Sequence, residues 1–400
     1  MGETRTTIDR KSRANVLRLA AAQALAGANA TVVYATGAII GNTLAPSPAM
    51  ATVPISVFVV GMALGTLPVG WIARVHGRRV AFVAGAACGC AAGLLGALSL
   101  MMQSFALYCA ATLLAGVYGA VVMTFRFAAA DGASPAFRPR ALSWVMAGGV
   151  FAGVLGPQLV TWTMDLWSPH IFVVSYLTQS VVALVAMVLL AGVDLPPLSP
   201  SEVARGRPLA TIIRQPRFVM AVICGVVTYT LMNLVMTSAP LAMRMCGLSL
   251  ATSNAAIQWH VVAMYGPSFF TGGLIARFGA YRVVAIGLLL LAGAGISGIT
   301  GLSAGHFGLG LVLLGVGWNF GFVGASAMVL ETHRPEERTR VQSFNDFLVF
   351  GTMAVGSFSS GSMLNAFGWA AVNWVVFPPI ALALLLLALM GLRGRAAARL

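Results

Sequence analysis

The chain has 400 residues, of which 59% are hydrophobic and 8% are charged, and its formal net charge is +14. A soluble protein of this length could not cover its surface with so few charged side chains. The composition therefore excludes an ordinary soluble globular protein and indicates an integral membrane protein. The excess of basic residues would also suit a nucleic-acid-binding protein. The positions of these residues along the chain distinguish the two classes.

Apolar stretches of about 20 residues, the length that crosses a bilayer core as a helix, recur along the chain. Twelve such spans are predicted, and they define the expected fold class, an all-α integral membrane protein. Their approximate ranges are 19–42, 51–73, 80–101, 105–129, 141–163, 171–192, 218–240, 252–275, 283–302, 307–330, 341–365 and 370–391. No cleavable signal peptide is expected, because the first apolar run is too long for one.

The arginines and lysines follow the positive-inside rule. If the N-terminus is cytoplasmic, all but two of the 24 fall in cytoplasmic segments; Arg244 lies in an outer loop and Arg126 within a span. This pattern predicts a multi-pass protein of the bacterial inner membrane with both termini in the cytoplasm. It leaves no basic cluster for nucleic acid, so no nucleic-acid partner is expected.

The five cysteines show no metal-ligand spacing, and four of them lie within spans, where they are expected to act as small packing residues. No nucleotide-binding motif and no catalytic constellation of side chains occurs in the sequence. We therefore expect no metal, no cofactor and no enzymatic activity.

Two loop motifs occur twice. Asp131, Pro135, Arg138 and Arg140 recur 200 residues later as Glu331, Pro335, Arg338 and Arg340. Gly70, Ile72, Ala73, Arg74, Arg79 and Val80 recur 203 residues later as Gly273, Ile275, Ala276, Arg277, Arg282 and Val283. Repeats at nearly one spacing predict a duplicated architecture. The expected organisation is a cytoplasmic basic arm (1–18), a six-helix bundle (19–192), a cytoplasmic linker (193–217), a second six-helix bundle (218–392) and a cytoplasmic tail (393–400).

The loop from Gly70 to Arg79 resembles the signature loop of the major facilitator superfamily. It keeps the family's pattern at Gly70, Gly77, Arg78 and Arg79, whereas Arg74 stands where the family has an acid. Asp131 and Arg140 match the family's places at the end of the fourth span and the start of the fifth, and Glu331 and Arg340 are their second copies. The resemblance implies two six-helix bundles in parallel repeat, a substrate cavity between them and a cytoplasmic network of these motif residues.

Polar and aromatic side chains are concentrated near mid-depth of several spans, where burial without a partner is costly. The candidate substrate contacts are Asn29, Asn233, Gln258, Trp259, Trp318 and Asn319. Tryptophans also anchor helices at membrane interfaces, and amides also join helices through hydrogen bonds, so both alternatives stay open.

Three titratable groups within spans are candidates for coupling or gating: Arg126, Asp346 and His260. Arg126 and Asp346 each lie roughly 8 Å inside the cytoplasmic boundary, in different halves, so they could form an ion pair that closes an inner gate. Arg126 could instead extend to the lipid headgroups. Gln342, Asn345 and Asp346 share one helical face through their i, i+3 and i+4 spacing. His260 is either a neutral hydrogen-bonding group or a proton carrier.

The expected function is secondary active transport of a small organic molecule by alternating access, with protons as the candidate coupling ion. Two alternatives remain: a facilitator or importer of a planar, vitamin-like metabolite, and a membrane sensor that has kept the fold and lost transport. The direction of transport is open. The expected partners are a small-molecule substrate and the lipid bilayer, and the expected oligomeric state is a monomer.

Overall fold

The structure, a computed structural model, describes residues 2–47, 50, 52–195 and 206–397. Met1 of the predicted arm, residues 196–205 of the predicted linker and residues 398–400 of the predicted tail lie outside the described residues. The described chain is helical and contains no strand, which confirms the predicted all-α class.

The helices follow one another with short connections, as expected for a chain that crosses a membrane repeatedly. The first six are α1 (Gly2–Leu44), α2 (Val53–Val75), α3 (Arg78–Met101), α4 (Phe105–Asp131), α5 (Arg138–Thr163) and α6 (Val173–Ala191). Next come α7 (Leu209–Ile213), α8 (Pro216–Met245), α9 (Leu250–Tyr265), α10 (Ser268–Phe278), α11 (Ala280–Thr300) and α12 (Ala304–Trp318). A π-helical turn (Asn319–Val323), α13 (Gly324–Leu330), a 3-10 turn (Pro335–Glu337), α14 (Arg338–Trp374) and α15 (Phe377–Ala397) complete the described chain.

Ten stretches of the described chain are long and apolar enough to cross a membrane. One of them, Pro335–Gly391, covers two of the predicted spans, 341–365 and 370–391. The predicted span 252–275 is divided between α9 and α10, each shorter than a bilayer core requires. Membrane-spanning helices are thus found, whereas the count of twelve is not itself confirmed.

The helices form two compact units. Unit 1 comprises Met1–Gly206 and Arg334–Ala354, and unit 2 comprises Arg207–His333 and Val355–Leu400. The first part of α14 therefore packs with the helices of the first sequence repeat. The boundaries predicted for the two bundles, 19–192 and 218–392, remain a prediction.

Glycines allow close helix packing within unit 1. Gly61 on α2 and Gly116 on α4 lie at one crossing, where a Cβ on either residue would overlap the main chain of the other helix. Membrane helices commonly approach through small residues in this way, because van der Waals contact replaces the hydrophobic effect as a driving force. This crossing holds α4, which carries Arg126 and Asp131, firmly against α2.

The end of the predicted basic arm is part of α1 and is tied to the end of α6. The side chain of Asn15 donates to the main-chain carbonyl of Asp194 at 2.7 Å and accepts from its main-chain N–H at 3.2 Å. Arg18 donates to the carbonyl of Gly192 at 2.5 Å, at the C-terminus of α6, where a cation is favourable. These bonds fix the direction in which the chain leaves unit 1 towards the linker.

Regular helix is interrupted at several points in the described part of unit 2, including Gly368 within α14, where φ is 79°. Gly266 and Pro267 separate α9 from α10, because proline has no N–H to donate into the helix. The π-helical turn Asn319–Val323 interrupts the helix formed by α12 and α13. A Cβ at Gly287 on α11 would lie 2.5 Å from the main-chain nitrogen of Gly321 in this turn, so α11 packs directly on it. Single π-helical turns occur frequently at functional sites.

Candidate functional site

Unit 1 contains a buried ion pair. The guanidinium of Arg126 on α4 donates to Oδ1 of Asp346 on α14 at 2.6 Å, and both side chains are at most 1% exposed. Asn345 donates to the same oxygen at 3.0 Å, and Arg126 also donates to the carbonyl of Met123. The guanidinium carbon of Arg126 lies 4.3 Å from the centre of the Phe127 ring. The two charges therefore face each other; their role as a gate remains a prediction.

A second polar cluster lies one helical turn away. Arg78, the first residue of α3, forms an ion pair of 2.5 Å with Asp131 at the end of α4. Gln342 on α14 accepts from Arg78 at 2.7 Å and donates towards both carboxylate oxygens of Asp131 at 3.3 and 3.4 Å. Arg338 approaches Asp131 at 4.0 Å. Side chains of α3, α4 and α14 thus meet around one carboxylate.

The other predicted motif residues fall into two groups. Gly70 and Gly77 have backbone roles. A Cβ at Gly70 would overlap the side chain of Ser343. Gly77 is the N-cap that precedes α3, and its φ of 88° favours glycine. The remaining members are exposed or half-buried, and they are Arg79, Arg140, Glu331 and Arg340. Among the predicted motif residues, Arg78 and Asp131 are paired with each other and Gly70 packs against Ser343 on α14; the full network remains a prediction.

Trp318 lies at the centre of an aromatic cluster in unit 2. Its ring stacks on Phe322 with centroids 5.2 Å apart and lies edge-on to Tyr229 and Tyr265 at 5.4 and 5.5 Å. Offset and edge-to-face contacts are the favourable arrangements of aromatic rings. We call Tyr229, Tyr265, Trp318 and Phe322 the aromatic cluster.

Several buried polar atoms on the same helices have no hydrogen-bond partner among the described residues. They are Nε1 of Trp318, Nδ2 of Asn233, Oγ1 of Thr228 and Oγ1 of Thr230. Thr228 lies against Gly321 of the π-helical turn. Buried polar groups normally find a partner, so each of these four atoms on α8 and α12 is a position at which water or a ligand can supply the bond.

Asn319 uses its side chain within the fold. Its Nδ2 donates to the carbonyl of Met264 at 2.6 Å and to Oγ of Ser268 at 2.5 Å, and its Oδ1 accepts from Thr271 at 2.6 Å. These three residues surround the break between α9 and α10. The amide of Asn319 thus satisfies polar groups at the break and connects it to the π-helical turn.

The other predicted substrate residues have different surroundings. Asn29 on α1 is buried in unit 1, and neither of its amide atoms bonds to another described residue, while its main-chain carbonyl accepts from Gln179 at 3.4 Å. Gln258 is exposed on α9, and the Trp259 side chain is 63% exposed. His260 is buried in unit 2, where Nδ1 lies 2.7 Å from the carbonyl of Leu311 and Nε2 has no partner among the described residues.

The sequence did not single out Tyr229, Tyr265 and Phe322 as neighbours of Trp318. The i, i+4 spacing of Trp318 and Phe322 predicts that these two rings are neighbours on one helix face. The approach of Tyr229 and Tyr265 depends on tertiary packing. Within the described residues, no group of three or more histidine, cysteine or acidic side chains could hold a metal ion.

The comparisons with known proteins agree on one family. The sequence model of the Major Facilitator Superfamily matches residues 19–302. The riboflavin transporter RfnT of Brucella anthropi is 46% identical over 376 residues, covering 93% of this chain and 94% of RfnT. The MFS-type transporter YdeG of Bacillus subtilis, whose function is uncharacterised, is 28% identical over 375 residues, covering 88% of this chain and 86% of YdeG.

Solved transporters share the fold at low sequence identity. The proton:xylose symporter XylE has a TM-score of 0.77 at 14% identity, covering 94% of this chain and 95% of XylE. The human organic anion transporter MFSD10 has a TM-score of 0.76 at 17% identity, covering 94% of this chain and 99% of MFSD10. Together with the signature loop and the apolar helices, these similarities confirm the predicted family: the chain belongs to the Major Facilitator Superfamily and is a multi-pass membrane transporter.

Proposed function

We propose that this protein transports riboflavin, or a closely related flavin, across the bacterial inner membrane by alternating access. The observation that carries the proposal is the 46% identity to a riboflavin transporter over 93% of the chain. Riboflavin is a vitamin with a planar ring system, a substrate class that the aromatic side chains within the spans permit. It therefore agrees with one of the alternatives from the sequence, a facilitator or importer of a planar, vitamin-like metabolite.

The aromatic cluster and the unpartnered polar atoms beside it support a flavin site in unit 2. A flavin has a flat tricyclic ring, which can stack on aromatic side chains, and carbonyl groups that accept hydrogen bonds. The indole N–H of Trp318 and the amide N–H of Asn233 are buried donors without partners among the described residues. The proposed contacts from the sequence stay Asn29, Asn233, Gln258, Trp259, Trp318 and Asn319. Among these, Asn233 and Trp318 have donors available, whereas both amide hydrogens of Asn319 are already used.

We further propose that the Arg126–Asp346 pair closes the cytoplasmic side and separates when that side opens. Removing one partner of a buried pair leaves an uncompensated charge, so the pair favours the state in which it is formed. Opening then requires water to reach both groups. The basic residues of the loops support a cytoplasmic location for this end of the helices and for both termini.

The first experiment measures riboflavin flux in two settings. Bacteria that cannot synthesise riboflavin and lack their own uptake protein are transformed with this chain, and growth on micromolar riboflavin is recorded. Purified protein in liposomes is then supplied with labelled riboflavin inside or outside, which distinguishes export from import. Flux above that of empty liposomes supports the proposal. Specific binding without flux would indicate a sensor, and no binding or flux would refute the riboflavin assignment.

Proton coupling is tested on the same liposomes. A pH gradient should accelerate riboflavin flux if protons are the coupling ion, and riboflavin should drive a pH change measured by an enclosed dye. Asp346→Asn and His260→Gln are then compared, since these two groups are the candidate proton carriers within the spans. Normal coupling in both variants would show that the coupling ion or the carrier is a different one.

A further inference from the structure

Gln342 on α14 has both ends of its amide engaged by charged groups of unit 1. Its oxygen accepts from Arg78 at 2.7 Å, and its nitrogen donates towards Asp131 at 3.3 and 3.4 Å. Arg78 and Asp131 are paired with each other, so the three side chains form a closed ring. The side chain of Gln342 is 4% exposed. A buried amide with a donor and an acceptor bond orients the helix that carries it.

The polar contacts join α4 and α14 at two levels. Asp131 meets Gln342 at the first level, and Arg126 meets Asp346 at the second. The levels are five residues apart on α4, about 7.5 Å, and four residues apart on α14, about 6 Å. Their order is opposite along the two helices, so α4 and α14 are antiparallel here. Both contacts therefore belong to one register of α14 against α4.

The internal duplication gives an independent observation. With the offset of 200 residues, the position equivalent to Gln342 is Leu142, and the positions equivalent to Asp346 and Arg126 are Met146 and Ser326. The positions equivalent to Gln342, Asp346 and Arg126 thus carry neither the bridging amide nor either charge. The amide and the pair are absent together from the equivalent positions, as expected if they act together.

We propose that Gln342 is a positioning residue whose amide holds α14 in the register that brings the Asp346 carboxylate to Arg126. A shift of α14 by one residue would move Asp346 by about 1.5 Å along the helix and turn it by about 100°. The carboxylate would then face away from the guanidinium. An ionised glutamate at position 342 could still accept from Arg78 but would repel Asp131 instead of donating to it, so the ring at neutral pH is best completed by an amide.

The inference extends the proposed gate, and its test uses unfolding, which needs no substrate. Arg126→Gln, Asp346→Asn and the double variant are purified in detergent, and their apparent Tm values are measured in the native and Gln342→Met backgrounds. In the native background, the decrease in Tm of the double variant should be smaller than the sum of the decreases of the two single variants. The difference, which measures the coupling between Arg126 and Asp346, should be roughly 2–4 °C. In the Gln342→Met background this difference should fall below about 1 °C. Gln342→Glu should reduce it as well.

Gln179→Met is the matched control, because Gln179 is a buried glutamine of the same unit that contacts neither member of the pair in the described contacts. It should lower the Tm and leave the non-additivity intact. If Gln342→Met and Gln342→Glu lower the Tm but keep the full non-additivity, Gln342 only packs, and the proposal is wrong. A chain that failed to transport riboflavin would not affect this result, so the two proposals are tested separately.

Discussion

Arg126 and Asp346 lie 220 positions apart in the chain, yet the guanidinium donates to the carboxylate at 2.6 Å in an environment without solvent exposure. Neither charge is expected to remain there alone, because an unpaired charge in a membrane interior is costly. The relationship joins a helix of the first sequence repeat to one of the second. It is therefore the contact on which the proposed gate can be tested most directly.

Exchanging the two charges should restore part of what each single reversal removes. Arg126→Asp and Asp346→Arg each place like charges together, and we expect each to abolish riboflavin flux and to cost ~3–5 kcal/mol of stability. The double exchange should recover measurable flux. Recovery should be partial, because the Met123 carbonyl now accepts a hydrogen bond from Arg126. An aspartate at position 126 has no hydrogen to donate, so its carboxylate and that carbonyl would repel each other. Liposome flux and Tm are the measurements, and a double variant as inactive as the single ones would argue against the gate.

Asn319 should matter for the stability of the helix break more than for substrate contact. Asn319→Ala removes the amide that bonds to the Met264 carbonyl, Ser268 and Thr271. We expect the free energy of unfolding to fall by roughly 2–4 kcal/mol. Thr271→Val removes the hydroxyl that contacts Asn319 and the Pro267 carbonyl and should cost about 1–2 kcal/mol. Hydrogen exchange should rise at the α9–α10 break in the alanine variant. Unchanged exchange there, together with weaker riboflavin binding, would instead support a direct substrate contact.

Gly70 and Gly273 are equivalent in the two repeats and should respond differently to alanine. A Cβ at Gly70 would overlap the side chain of Ser343, whereas a Cβ at Gly273 would meet no atom of the described chain within 4 Å. Gly70→Ala should therefore cost ~1–3 kcal/mol through overpacking. Gly273→Ala should be neutral or stabilising by about 0.5–1 kcal/mol, since alanine favours helix. Thermal unfolding of the two variants measures both effects, and equal Tm values would contradict the close packing at Gly70.

Trp318→Phe should weaken riboflavin binding while retaining an aromatic ring. The variant loses the indole N–H and part of the stacking surface, so we expect an increase in KM of about three- to tenfold from the lost hydrogen bond and a further increase from the smaller ring. Asn233→Leu, which removes the buried amide donor, should act in the same direction. Trp144→Phe is the control, because Trp144 is exposed on α5 and lies outside the aromatic cluster. An unchanged KM in the Trp318 and Asn233 variants would remove both residues from the proposed site.

Composition and motifs are sufficient to predict the membrane class, the family and the approximate place of most spans. Long apolar runs, the distribution of arginines and a repeated loop are local properties, and each can be recognised without knowing which helices touch. The positions of the helix ends at Arg78 and Asp131 follow from the same signals. The last two predicted spans, 341–365 and 370–391, are separated at Gly368, whose φ of 79° interrupts α14. Pro267 is likewise a local signal for the break between α9 and α10.

Which polar groups are partners depends on how the helices pack, and no local pattern in the sequence predicts it. Asp131 and Gln342 are 211 residues apart, and their contact requires a particular rotation and register of α4 against α14. Asn319 had the sequence signature of a substrate contact, but the π-helical turn directs its amide to the α9–α10 break. Helical periodicity fixes the relative direction of side chains on one helix, whereas the direction of that face is set by the packing of all its neighbours.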